Sequence, residues 1–289
     1  MKKKTSVRTK FIRTATKVAM PALQVLCAPP KLENIKKALF IQPHPDDNQI
    51  GAGGTIAYLV NKGVEVYELT VLDDRYTDLT YKGEGYTVRQ KEALAAQEKL
   101  GMKNAGFLGF GDRTRATSRE IADKITPIIR EIKPDAIFTV DPNLASECHE
   151  DHIKVGNAVK FAFMDAGFDF VPDFVDGKPH TDTHNVFTLG FYYTDTPNTI
   201  VDISDFEDLK FEAINCHESQ KDVALNAALH IQDQYFAQGT DFKAAEVLRL
   251  QNKLHSHCFN LPIEKFNRRC DNGKLKMESG KFRGAKNAP

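Results

Sequence analysis

Short apolar runs that end in a loop and hand over to a helix-forming stretch recur along this chain. Lys37–Gln42 (KALFIQ) has the composition of a buried strand and stops at Pro43. Apolar residues at Ile50, Ile56, Leu59 and Val60 then follow helical spacing, and Gly63 stands where a C-cap belongs. Val64–Leu72 (VEVYELTVL) alternates as a second strand. Val88–Leu100 (VRQKEALAAQEKL) is rich in helix formers and closes on Gly101. A short apolar run covers 105–110. Thr117 with Glu120 forms a capping box for a helix reaching Ile132, with a kink expected at Pro127. Asp135–Val140 is another buried-type strand, and 151–164 another helix.

Past an irregular stretch at 168–185, Val186–Tyr193 and Thr199–Ile203 are expected strands. Ser204 or Asp205 is expected to cap a helix running towards His217, and 241–254 is expected to be a last helix. There is no internal repeat and no low-complexity linker. The alternation argues for an α/β fold: a single Rossmann-like domain, with a mostly parallel sheet and helices on both faces. In such sheets ligands bind beyond the carboxyl ends of the strands. Three strand-to-helix loops therefore matter most, at residues 43–50, 73–87 and 141–152.

Charge divides the chain further. The 39 Lys+Arg balance the 39 Asp+Glu, yet residues 1–18 carry seven basic side chains and no acidic one. Residues 264–289 carry eight basic and three acidic, so the body between these ends has a net charge of −12. The expected organisation is a basic N-terminal arm (1–36), a catalytic-type domain (37–263) and a basic C-terminal tail (264–289). An acidic body excludes a nucleic-acid binder with a basic field over its whole surface. No apolar run reaches the ~18 residues of a membrane span, so no integral membrane segment is expected. Val18–Ala28 is apolar after a positive start, but it holds Pro21 and Gln24 and lacks a clear A-x-A site. Five scattered cysteines without a C-x-x-C pair suit a reducing compartment. A cytoplasmic location is expected, with export through a weak N-terminal signal as the alternative. His255, His257, Cys258 and Cys270 fit no usual zinc-finger spacing.

The chemistry concentrates in two loops. Pro43-His44-Pro45-Asp46-Asp47-Asn48 places an imidazole and two carboxylates at the end of a buried strand. Adjacent carboxylates repel, and a divalent cation would compensate them, with one carboxylate left free for proton transfer. On spacing alone the same cluster reads equally well as a cap for the following helix. The loop Asp141…Cys148-His149-Glu150-Asp151-His152 lies at the same sheet edge and offers a third ligand, which favours a metal site.

At this point a resemblance becomes specific. Pro43–Asp47 followed by Gly51-Ala52-Gly53-Gly54-Thr55-Ile56 resembles the opening motif of the PIG-L/LmbE-like N-acetylglucosaminyl deacetylases. Arg89–Gly101 with Phe107–Asp112 is similar to the family's next segment, and His149–Gly156 (HEDHIKVG) to its His-x-Asp-His motif. Pro197-Asn198…Val201-Asp202-Ile203 and His217-Glu218-Ser219-Gln220 resemble later landmarks. The match runs from about Leu39 to Arg249, and the basic ends lie outside it. The resemblance implies zinc (or another divalent metal such as Fe2+) bound by His44, Asp47 and His152. It implies Asp46 as general base and His149 as acid or oxyanion partner. The implied substrate is a small N-acetylated amino-sugar conjugate, and a homo-oligomer is left open.

Two departures stand out: Asn48 replaces the family's usual Glu, and Glu150 replaces a common Pro. Arg75 is a candidate contact for a sugar hydroxyl or an anionic aglycone, with a plain ion pair as its alternative. Asp112-Arg113 reads similarly, and His217 reads either as a landmark residue or as a packed one. His180, His184 and His230 read as structural or surface groups. Residues 73–87 and 166–185, with Tyr76, Tyr81, Tyr86, Phe168, Phe170 and Phe174, are expected to wall the site. The Gly51–Gly54 run lacks the G-x-G-x-x-G order of a dinucleotide turn. Two competing functions remain: a non-catalytic sugar-binding protein of the same fold, and a metal-dependent hydrolase of a non-sugar amide.

Overall fold

A computed structural model describes residues 28–75, 77–173, 178–179, 182–253 and 256–257. Tyr76, Phe174, His180, His255, Cys258 and Cys270, the chain before residue 28 and the C-terminal tail lie outside the described residues. Residues 28–36 include a 3-10 turn at Leu32–Asn34, and Leu32 and Ile35 are buried in the core.

The first half alternates strand and helix: β1 (Lys37–Gln42), α1 (Asp47–Asn61), β2 (Glu65–Asp73), α2 (Val88–Leu100), β3 (Lys103–Gly111), α3 (Ser118–Ile132), β4 (Ala136–Val140) and α4 (Glu150–Asp165). A two-stranded ribbon, β5 (Pro172–Asp173) and β6 (Lys178–Pro179), follows. Then come β7 (Thr188–Tyr192), β8 (Thr199–Asp202), α5 (Glu207–Ile214), α6 (Val223–Phe236) and β9 (Ala245–Asn252). The main sheet has the order β3-β2-β1-β4-β7-β9-β8. Strands β3, β2, β1, β4 and β7 run parallel, and β9 pairs antiparallel with both β7 and β8. The expected mostly parallel sheet with helices on both faces is the fold found.

Period-two alternation divides the core into two layers. Ala38 and Phe40 face the cluster that contains Ile56 and Leu59 of α1 and Ala96 and Leu100 of α2. Leu39 and Ile41 face Ile121, Ile125 and Ile129 of α3 and Val155, Val159 and Phe163 of α4. The chain builds β2 and β3 on one side of β1 and then crosses to place β4 on the other. That reversal opens a crevice beyond the carboxyl ends of β1 and β4, where both His-bearing loops emerge.

Ala52 departs from helical geometry (φ −150°, ψ 18°), so Asp47–Gly51 forms a separate first turn of α1. The glycines there make room for neighbours. A Cβ on Gly51 would overlap the Tyr192 ring, and one on Gly54 would lie 2.7 Å from Ile203 Cγ2.

The C-terminal third differs from expectation. Residues 241–254, expected as a helix, hold β9 instead, and 223–236, to which the sequence reading assigned no element, form α6. Ala, Glu, Leu and Arg favour a helix locally, but Glu246, Leu248, Leu250 and Asn252 are buried alternately, as a strand between β7 and β8 requires. Glu246 is tied in tightly. It accepts the Gly54 and Thr55 backbone N–H groups at 3.0 and 2.7 Å and pairs with Lys210 Nζ at 3.0 Å. Lys210 also donates to both Asp233 oxygens, at 2.9 and 2.8 Å. Lys210→Met strands two buried carboxylates and is expected to cost about 3–5 kcal/mol, read as a lower urea midpoint at pH 8. An unchanged midpoint would show that the triad does not stabilise the fold.

Helix α3 reaches Ile132 as expected, with Pro127 inside the span. One smaller expectation changes. The 166–185 stretch joins the far end of α4, ~24 Å of helix from the His loop, to the start of β7. Its described residues next to α4 and β7 lie at the amino-terminal edge of the sheet, away from the site, whereas 73–87 leaves β2 at the carboxyl edge. Phe168 and Phe170 stack on each other at 5.1 Å at that remote edge. His184 donates to the Pro134 carbonyl at 2.8 Å and His230 lies 3.0 Å from Glu207, so both have the structural or surface character expected.

Candidate active site

The turn after β1 is closed by Asp47, whose Oδ2 accepts the His44 backbone N–H at 2.8 Å and lies 3.3 Å from His44 Nδ1. Its other oxygen, Oδ1, faces His152 Nε2 at 3.4 Å. His152 comes from the first turn of α4, and its Nδ1 lies 2.8 Å from Glu147 Oε2. Glu147 Oε1 also accepts the His149 backbone N–H at 2.7 Å, so one carboxylate shapes the loop and orients the His152 ring. The His149 ring sits 4.8 Å from that of His44 and 4.9 Å from that of His152.

Two overlapping triads share His44, with ligand atoms within 4.8 Å of one another: His44, Asp47 and His152, or His44, His149 and Asp151. Asp151 is committed elsewhere. Its two oxygens accept the Arg113 and Thr114 backbone N–H groups at 2.7 and 3.1 Å, while Oδ2 lies 3.5 Å from His44 Nε2. His149 is exposed, whereas His44 and Asp47 are buried. Two imidazoles and a carboxylate with one oxygen turned inward are a donor set that fits a divalent cation, and the first triad fits better.

Asp46 precedes Asp47 in the chain and belongs to neither triad. Arg89 Nη2 donates to Asp46 Oδ1 at 3.1 Å, and Arg89 Nη1 lies 3.9 Å from Asp112 Oδ2. Arg75 is held elsewhere. Its Nε contacts both Asp73 oxygens at 2.9 and 3.0 Å, which is the ion pair weighed as its alternative reading. Asn48 turns into a buried network, donating to Glu68 at 3.0 Å and accepting from the Tyr192 hydroxyl at 2.8 Å. A glutamate at 48 would there meet the carboxylate of Glu68, which explains an amide at that position.

The electrostatics follow from burial and crowding. Burial alone would lower the pKa of His44, but hydrogen bonds to Asp151 and Asp47 and the charges of Asp47 and Asp112 raise it to about 10. Asp46 is pushed up to about 6 by burial and by the charge of Asp47, against the pull of Arg89 and His44. Burial would raise Asp47, but its contacts with His44 and the charge of His152 hold it below the usual carboxylate range. Burial and the neighbouring His44 and His152 lower His149, favouring its neutral ring. A site that holds a proton this strongly on His44 has a negative field that favours a cation.

Sequence reasoning did not single out Glu147, Arg89 or Asp151 as partners within the site, and it weighed Asp112 only as a sugar contact or surface ion pair. Glu147 lies in an irregular loop where no periodicity reports its direction, and Arg89 is an ordinary charge on a polar helix. Glu147→Ala is expected to weaken metal affinity about 10–100-fold, measured by chelator competition. Unchanged affinity would show that Glu147 does not hold the His152 ring.

A Rossmann-like α/β domain with this His-His-Asp cluster in its switch-point crevice has the layout of a metal-dependent hydrolase. The family profile described as PIG-L, GlcNAc-PI de-N-acetylase, matches residues 39–163. A diacetylchitobiose deacetylase of Thermococcus kodakarensis is 38% identical over 196 residues, covering 65% of this chain and 71% of the relative. A probable N-acetyl-alpha-D-glucosaminyl L-malate deacetylase of Bacillus cereus is 31% identical over 198 residues, 66% of this chain and 86% of the relative. The structure of N,N'-diacetylchitobiose deacetylase from Pyrococcus horikoshii superposes with a TM-score of 0.70 at 28% identity, over 90% of this chain and 98% of that one. The chain belongs to the PIG-L deacetylase family.

Proposed function

We propose that this protein is a zinc-dependent N-deacetylase that hydrolyses the acetamido group of a small N-acetylglucosamine-type sugar, with His44, Asp47 and His152 as metal ligands. The observation that carries the reading is the convergence of these three donors, with Asp46 beside them and outside the triad. Two nitrogens and an oxygen suit Zn2+, with Fe2+ as the alternative. A divalent cation there would polarise the amide carbonyl and lower the pKa of water.

Asp46 takes a proton from the attacking water as its oxygen bonds to the carbonyl carbon. The neutral His149 ring donates a hydrogen bond to the carbonyl oxygen as negative charge develops on it. Collapse breaks the C–N bond, and the proton held by Asp46 passes to the leaving nitrogen, yielding acetate and a free amine. Arg89 keeps Asp46 in place, and Arg89 with Asp112 lines the rim as a donor–acceptor pair for sugar hydroxyls. Arg75 remains an outer candidate, available to the sugar only if Asp73 releases it.

The relatives that act on diacetylchitobiose point to a short N-acetylated oligosaccharide as the first substrate to try. Among the described residues no helix is long and apolar enough to cross a membrane. The exposed free thiol of Cys148 supports a cytoplasmic location. The apolar side chains Val223, Ile231 and Tyr235, exposed on α6, support self-association. The test is amine release from a panel that includes diacetylchitobiose, N-acetylglucosamine conjugates and non-sugar acetamides. Release only from the last group would favour the non-sugar amide hydrolase. Binding without release would favour the sugar-binding protein.

A further inference from the structure

His217 is a buried polar group that the reaction above does not use. It is 2% exposed, and neither ring nitrogen has a hydrogen-bond partner among the described residues. Burying an imidazole without partners is costly, so such a group points to something it is built to hold. His217 and Asp46 both line a small cavity of about 30 Å³, with Asn215, Gln220, Lys221, Asp222 and Asn226 as further polar or charged walls. That volume, with several polar partners, suits one water molecule.

The segment is fixed in place. Ser219 donates to Glu92 through its backbone N–H at 2.7 Å and its hydroxyl at 2.6 Å. Glu92 lies one turn beyond Arg89 on α2, so His217 is clamped to the helix whose arginine holds Asp46. Burial and the nearby Arg89 charge lower the His217 pKa to about 4, so the ring is neutral and offers one donor and one acceptor.

We propose that His217 is a positioning residue for Asp46, joined to that carboxylate through one water molecule held in the cavity between them. The His217 N–H donates to the water, and the water donates to an Asp46 oxygen. Asp46 is thereby held from two sides, by the Arg89 guanidinium directly and by His217 through the water. The inference rests on the reading of Asp46 as general base, and it assigns the histidine of the His-x-Ser-Gln stretch a task apart from packing.

The test combines kinetics with a structure that does not depend on turnover. His217→Phe keeps the ring's bulk and removes both polar atoms, while His217→Gln keeps a donor and an acceptor. With diacetylchitobiose, H217F is expected to lose about 10- to 100-fold in kcat with KM within about twofold and full metal content. H217Q is expected to recover most of that loss. A high-resolution crystal structure of the wild type is expected to show a water within hydrogen-bond reach of both His217 and Asp46. Unchanged kcat in H217F, a loss carried by KM, no recovery in H217Q, or no such water in the wild-type crystal would each overturn the proposal. Should H217F not fold, the wild-type water and the kcat of H217Q decide. A wild type that releases no amine but holds the water refutes the deacetylase reading and leaves the His217–water–Asp46 link standing.

Discussion

Asp46→Asn is expected to keep its metal and lose turnover by about 10²–10⁴-fold, the usual contribution of a general base. The amide still accepts from Arg89, so the loop keeps its shape, but it cannot take a proton. Asp46 lies outside the ligand triad, so metal content measured on the same sample is expected to match the wild type. The wild type should also lose activity as the pH falls, with its acid limb at or below about pH 6. Burial and the charge of Asp47 raise the Asp46 pKa to about 6, and a bound cation can only draw it down. A variant that stays fully active would show that another group takes the proton. One that loses its metal would place Asp46 among the ligands.

The second large effect is a competition between metal and proton. In the metal-free protein His44 holds its proton up to about pH 10, because buried carboxylates surround it. A metal must displace that proton. Between pH 7 and 9 the affinity is therefore expected to rise about tenfold per pH unit, for one proton released per metal bound. The sign for stability is opposite. A raised His44 pKa stabilises the metal-free fold fully below the ordinary value near 6.5, and that contribution fades as the pH rises towards 10. Asp47→Ala removes both the closest carboxylate to His44 and a proposed ligand. Its metal affinity is expected to fall by more than the ~100-fold upper range of an outer partner. Chelator competition from pH 7 to 9 measures both effects, and a flat profile would show that metal binding displaces no proton from His44 over that range.

Much of this was legible in the sequence, for identifiable reasons. Lys37–Gln42, Val64–Leu72 and Asp135–Val140 are apolar runs bounded by turn residues, and strands buried on both faces must look that way. The Thr117–Glu120 and Thr87–Gln90 capping boxes form at helix starts, the first of them anticipated. The convergence of His44, Asp47 and His152 was legible because these residues sit in two motifs at strand ends. What escaped was decided by tertiary contact. The 241–254 stretch has helix-forming composition, and only its place between β7 and β8, with Glu246 reaching Lys210, makes it a strand. The direction of Asn48 into Glu68 and Tyr192, and of Glu147 onto His152, depends on neighbours distant in the chain or on loop shape. The 166–185 stretch was expected at the site as a loop able to choose the aglycone, whereas the length of α4 carries its first described residues to the opposite edge.

The central claim is that a cation held by His44, Asp47 and His152 serves with Asp46 to remove an acetyl group from an amino sugar. Its most direct test is metal content and amine release on one preparation, with diacetylchitobiose as substrate. The predicted result is about one divalent metal per chain, with free amine and acetate formed in equal amounts and lost on chelation. A protein that retains its metal and releases no amine from any acetamido sugar would contradict it.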